Sequence, residues 1–163
     1  MAVKDILLLG NENLYKISRE LNYEELSSVK TVVQDLHETL MDFRRVNGFG
    51  RAIAAPQIDA AYRILYMNYG NNSIVFINPR LEFPVDEKFE IWDDCMSFPN
   101  LEVKVERYKE CIVFFRDLDW KECSLHFEGD LAELIQHEYD HLDGILAVQR
   151  AVNNKAFRIK YKE

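Results

Sequence analysis

Residues 131–144, LAELIQHEYDHLDG, constrain this chain more than any other stretch. Within them His137-Glu138-Tyr139-Asp140-His141 has the HExxH spacing. On a helix of about 3.6 residues per turn, His137 and His141 lie one above the other and can grip one metal ion. Steps of about 100° per residue put Leu131, Leu134, Ile135 and Leu142 on one apolar stripe. The two histidines border that stripe and Glu138 falls inside it. A carboxylate aimed at a core is expensive unless it meets a cation or does chemistry. A surface helix with incidental histidines is the bland alternative, and the apolar pattern around the motif argues against it.

Two histidines leave a catalytic metal centre one protein ligand short. A metzincin reading needs HExxHxxGxxH; Gly144 fits, but the last position is Ala147. A thermolysin-like reading takes a glutamate roughly twenty residues downstream, where only Glu163 stands. The third donor therefore lies upstream. Gly144 reads instead as a helix stop, where a left-handed residue is wanted. Cys95, in Trp92-Asp93-Asp94-Cys95-Met96-Ser97-Phe98-Pro99, is the best upstream donor, set between a strand and a proline-marked turn. Cys111 and Cys123 sit in apolar strand patterns and read as structural.

A chain of 163 residues, 48% apolar and 29% charged, reads as one globular domain spanning 1–163. A net charge of −8 argues against general nucleic-acid binding, which depends on neutralising phosphates. Three cysteines without a framework spacing suit a reducing compartment. The N-terminal MAVKDILLLGNEN has too short an apolar run for a signal peptide or membrane helix. The expectation is a cytoplasmic protein, or an organellar one if eukaryotic, without membrane attachment. The basic C-terminal FRIKYKE reads as a solvated tail.

Residues 22–46 carry apolar side chains at threes and fours, the pattern of a long helix, with His37 as a flanking residue. Asn47-Gly48-Phe49-Gly50 ends it. Ala52 to Gln57 leads into a strand over 62–67, and 73–79 reads as a buried strand closed by Pro79. Further strands are expected over 88–92, 102–108, 110–115 and 123–127, with a turn at 117–120. One long helix, a run of strands and the HExxH helix make an α+β protein, its antiparallel strands packed around a central metal-binding helix.

With these stretches in place, the chain resembles the peptide deformylases. That family carries GxGxAAPQ, EGCxS and QHExDHLxG in this order. Here they stand as Gly50-Arg51-Ala52-Ile53-Ala54-Ala55-Pro56-Gln57, Asp93-Asp94-Cys95-Met96-Ser97, and Gln136 to Gly144. The third match is complete and the other two partial; the likeness runs to about Val148. The resemblance implies a metallohydrolase that removes the N-formyl group from methionine at the start of new proteins, a step of protein biosynthesis that can be ribosome-associated. It implies one divalent ion on Cys95, His137 and His141, Fe(II) by preference, with zinc, nickel or cobalt as substitutes. It also implies Glu138 as general acid/base, and Gln57 with the backbone N–H of Met96 as oxyanion donors. Through Arg107, it implies an ion pair supporting Asp93. The alternative from another class is a deformylase-like metal-binding module without hydrolysis; intact Glu138 and Gln57 argue against it.

The departures concern the substrate. Asp94 replaces a glycine and adds a charge beside the metal thiolate. Ala52 replaces a glycine along the bound peptide, where a methyl crowds substrate or excludes φ > 0. Glu102 stands where many members have an arginine that contacts substrate. Arg51 and Glu133 replace apolar residues of the methionine pocket beside Gly50. One reading has Arg51 and Glu133 pair with each other; another has them read a polar group or close the pocket to methionine.

Overall fold

Leu26, Val29, Val33, Leu36, Leu40 and Phe43 fall on one side of a single helix, α1, Leu26–Asn47. In the computed structural model, which describes residues 2–160, α1 begins behind a 3-10 turn, Tyr23–Glu25, where Glu25 accepts from the Asn22 N–H at 3.3 Å. Gly48 ends it at φ 77, its N–H bonded to Arg44 O at 2.8 Å. That left-handed cap is where glycine costs least. The apolar face of α1 packs on Ile53, Ile64, Tyr66 and Ile77.

Those four residues belong to a five-stranded antiparallel sheet. Its strands are β1 (Ala52–Ala54), β2 (Ile64–Tyr69), β3 (Asn72–Glu82), β6 (Glu110–Arg116) and β7 (Glu122–Glu128), in the order β1-β2-β3-β6-β7. A second sheet is β4 (Lys88–Cys95), β5 (Phe98–Tyr108) and β8 (Phe157–Ile159), in the order β4-β5-β8. The HExxH helix, α2, spans Asp130–Leu142 and touches β1, β2, β5 and β7, members of both sheets. Its Ala132, Leu134, Ile135 and Leu142 share a core with Phe76, Val113, Phe115 and Phe127. The expected α+β architecture, antiparallel strands around a central helix, is the one observed.

Three expectations need correcting. Pro79 does not close its strand. Asn78 takes φ 51, the pairing of β3 with β6 shifts between Ile77 and Arg80, and the strand runs on to Glu82. A bulge at that point tolerates a residue without an N–H. The C-terminal stretch is not simply solvated either, because Phe157–Ile159 pairs with Leu101–Val103; its last residues, Tyr161, Lys162 and Glu163, lie outside the described residues. His37 is more than a flanking residue, since its Nδ1 meets the Tyr66 hydroxyl at 2.6 Å. Cys111 is fully buried and Cys123 half-buried.

Candidate active site

Four segments converge at the site, and backbone chemistry holds each in place. α2 carries His137, Glu138 and His141, all buried. Gln136 ties this helix to the end of β5: its Nε2 donates to Tyr108 O at 2.9 Å and its Oε1 accepts from Tyr108 N at 3.0 Å. Cys95 is the last residue of β4, delivered by a two-residue turn, Met96-Ser97, before β5 begins. Gln57 sits in a 3-10 turn, Ala55–Ile58, that follows β1. An N-terminal arm then crosses behind all three. Leu7 N donates to Gln57 O, Leu9 N to Ser97 O and Ser18 N to Leu142 O, each at 2.8 Å.

Cys95, His137 and His141 each offer a ligand atom within 4.8 Å of the other two. Cys95 Sγ lies 3.4 Å from His141 Nε2. Tetrahedral zinc bound by sulfur and nitrogen has ligand–ligand edges of roughly 3.3–3.6 Å, so the spacing fits one ion. Asp93 Oδ2 accepts from His137 Nδ1 at 2.7 Å, which leaves Nε2 as the ligating nitrogen. The donor set, one thiolate and two imidazoles, suits iron or zinc better than a hard ion.

Asp93 stands between that imidazole and Arg107, whose Nη2 is 3.2 Å away. Burial pushes the Asp93 carboxyl up, but charged His137 and Arg107 outweigh it and hold the carboxyl at about 2. Asp93 and Cys95 share a face of β4, being two residues apart. Arg107 also donates to Asp140 at 2.8 Å, and Arg150 pairs with Asp140 from the other side. Asp140 is therefore buried and held by two arginines. Burial raises Glu138 to about 7, with Asp93 adding to the rise and His137 opposing it. Its Oε2 has no hydrogen-bond partner among the described residues. Burial and Asp93 together push Glu133 up to about 8.

Gln57 is locked by its own turn: Oε1 accepts from Ala54 N at 2.9 Å, and Nε2 points to Ser97 Oγ at 3.1 Å and Cys95 Sγ at 3.6 Å. A cleft of about 410 Å³ opens beside these groups, lined by Gly50, Arg51, Ala52, Asp93, Asp94, Met96, Glu133 and Glu138, among others. Gly50 has φ 120, and a Cβ there would come within 3.3 Å of Phe43 and 3.5 Å of Met96. Ala52 is a β1 residue with an ordinary φ, so the left-handed conformation that a methyl would exclude is not used here. Arg51 is exposed at the mouth and forms no ion pair with buried Glu133, so the pairing of these two is ruled out. Asp94 does not stand unopposed beside the thiolate: Lys160 Nζ meets its Oδ2 at 2.7 Å and lies 3.4 Å from the Phe49 ring centroid. Glu102 pairs with Arg158 at 2.9 Å.

Sequence reasoning missed the Asp93–His137 bond, although the two-residue spacing of Asp93 and Cys95 signals a shared face. It also missed Lys160 and Ser97.

A thiolate donor, an HExxH helix and a buried glutamate in an α+β shell define the class of metallohydrolases with one helix-borne centre. Comparison with known proteins gives the family. Residues 3–157 match the description of polypeptide deformylase. The chain is 34% identical over 160 residues to the peptide deformylase of Pseudothermotoga lettingae, covering 98% of this chain and 90% of that one. It is 38% identical over 155 residues to peptide deformylase 2 of Clostridium perfringens, covering 93% and 94%. The crystal structure of peptide deformylase from Thermotoga maritima superposes with a TM-score of 0.85 at 27% identity, over 94% of this chain and 100% of that one. The Legionella pneumophila enzyme gives 0.85 at 30%, over 95% and 89%. The chain belongs to the polypeptide deformylase family, metallohydrolases that use a single divalent ion. Among the described residues, no helix is long and apolar enough to cross a membrane.

Proposed function

We propose that this protein hydrolyses the N-formyl group from the first residue of a peptide, releasing formate and a free amine. The observation that carries the reading is the meeting of Cys95, His137 and His141 beside buried Glu138 and Gln57. Cys95 and the two histidines are the residues that would hold the ion, Fe(II) in the cell and zinc, nickel or cobalt by substitution. Such an ion would polarise the formyl carbonyl and make water acidic enough to attack near neutral pH.

The chain's own groups do the rest. Glu138, raised to about 7 by burial, has the affinity to take the proton of the attacking water and return it to the departing amine. Gln57 Nε2, held in place by Ala54 and Ser97, is an N–H donor already in position for the oxyanion, with the backbone N–H of Met96 as its partner. Asp93 fixes the His137 ring and Arg107 fixes Asp93. Gly50, Arg51, Ala52, Asp94 and Glu133 line the space for the substrate's first side chain. Two carboxylates and an arginine make that space polar, which supports weak activity on formyl-methionyl peptides.

The test is formate release from formyl peptides by protein prepared anaerobically with Fe(II), wild type beside Glu138→Gln. Hydrolysis lost by ~10²–10⁴ in the variant, with metal content retained, is the expected result. Hydrolysis by neither protein, on any formylated peptide, overturns the reading.

A further inference from the structure

Glu133 is a buried carboxyl in the cleft to which the proposed reaction gives no chemical step. It lies one helical turn before His137, is 4% exposed, and lines the cleft alongside Asp93 and Leu134. Its Oε1 has no hydrogen-bond partner among the described residues. Arg51 at the mouth forms no ion pair with it, and Arg107, whose charge acts on it, spends its Nη groups on Asp93 and Asp140. A buried acceptor without a donor is costly and is kept where something else supplies the donor.

We infer that Glu133 reads the first side chain of the substrate, and that this side chain is unbranched and ends in an N–H donor, amide or ammonium, instead of a thioether. The inference rests on the deformylase reading above and specifies its substrate. In either protonation state the carboxyl of Glu133 keeps an oxygen that accepts. Asp94 at the rim is committed to Lys160, and Asp93 to His137 and Arg107 and to a shared hydrogen bond with the Glu133 carboxyl, which leaves Glu133 Oε1 as the acceptor of the floor without a donor. A methionine side chain placed there covers Oε1 with carbon and sulfur and leaves it unbonded. A glutamine or lysine side chain of similar length puts an N–H donor at the same depth. A site built to bond a polar group rejects its apolar analogue more strongly than an apolar pocket rejects a polar one.

The experiment has two readouts. The first is kcat/KM for formate release by the Fe(II) protein from formyl-X-Ala-Ser, where X is methionine, norleucine, glutamine or lysine. The second is calorimetric binding of the metal-loaded protein to hydroxamate pseudopeptides carrying a norleucine, glutamine or lysine side chain. Expected is a preference of about tenfold to a hundredfold for glutamine or lysine over methionine and norleucine, in both readouts. Glutamine alone preferred means an amide is read, lysine alone an ammonium. Glu133→Ile should reverse the order, and Glu133→Gln, which keeps an acceptor and the volume, should preserve it. If the hydroxamates show the preference while no formyl peptide is cleaved, the pocket inference stands and the deformylase reading falls. Equal or better binding and turnover of the methionine and norleucine ligands by the wild type overturns the inference and leaves the deformylase reading intact.

Discussion

Asp93→Asn attacks the buried carboxylate that joins the His137 ring to Arg107. The carboxylate is 6% exposed, accepts a hydrogen bond from His137 Nδ1–H at 2.7 Å and faces Arg107 at 3.2 Å. Holding it at about 2 instead of 3.8 corresponds to roughly 2–3 kcal/mol of preference for the charged form in the metal-free fold. Removing one partner of a buried ion pair typically costs about 3–5 kcal/mol. Here Arg107 keeps Asp140, so the lower half of that range, about 2–4 kcal/mol, is expected. The amide also has a free choice of donor or acceptor towards His137 Nδ1 and no longer fixes the tautomer. Loss of such a partner weakens metal binding by ~10–100-fold. Urea unfolding of chelator-treated protein at pH 7 measures the first effect, and competition with a chromogenic chelator the second. A variant within 0.5 kcal/mol of the wild type, of the order expected for an unremarkable surface change, and with unchanged metal affinity, would refute the assignment of Asp93 as the group that orients His137.

Cys95→Ala should retain the fold but lose stoichiometric metal, checked by elemental analysis after dialysis; full occupancy would mean that the upstream ligand is misassigned. Gly144→Ala should destabilise by at least about 2 kcal/mol, because φ is 72 and the new methyl would stand 2.3 Å from Tyr15 O; urea midpoints report it. Burial pushes the Cys111 thiol up to about 12, so the folded state holds its proton longer than the unfolded chain. Stability from this group is complete below about pH 9 and is lost as pH rises towards 12. Iodoacetamide at pH 8.5 should accordingly leave Cys111 unmodified in native protein and label it in urea, as peptide mapping would show; native labelling at the unfolded rate would contradict its burial.

Where side chains repeat with one period and one face is buried, the sequence carried the answer. α1 and α2 lie within a turn or so of their expected limits, and the strands over 88–128 appear in their expected order. β8 left no such trace: its three residues are all exposed, so pairing with β5 is made by backbone bonds without an apolar pattern. The site divides the same way. The HExxH helix and Cys95 were legible because local spacing fixes what can face one point. The approach of Glu133 to Asp93 was not, because a carboxylate's neighbour on another element depends on segments far apart in sequence. Arg51 and Glu133 both border the cleft, yet β1 turns the first outward while α2 buries the second.

The N-terminal arm has a consequence for assembly. Its backbone bonds reach Gln57, Ser97 and Leu142, so the arm is not fully laced until α2 is in place. Nothing local closes the centre early. Native contacts of such long sequence separation slow folding, and a partly synthesised chain holds the thiol of Cys95 without the imidazoles that would share its ion. Competence therefore arrives late and in one step, when α2 emerges and the arm laces the three segments together.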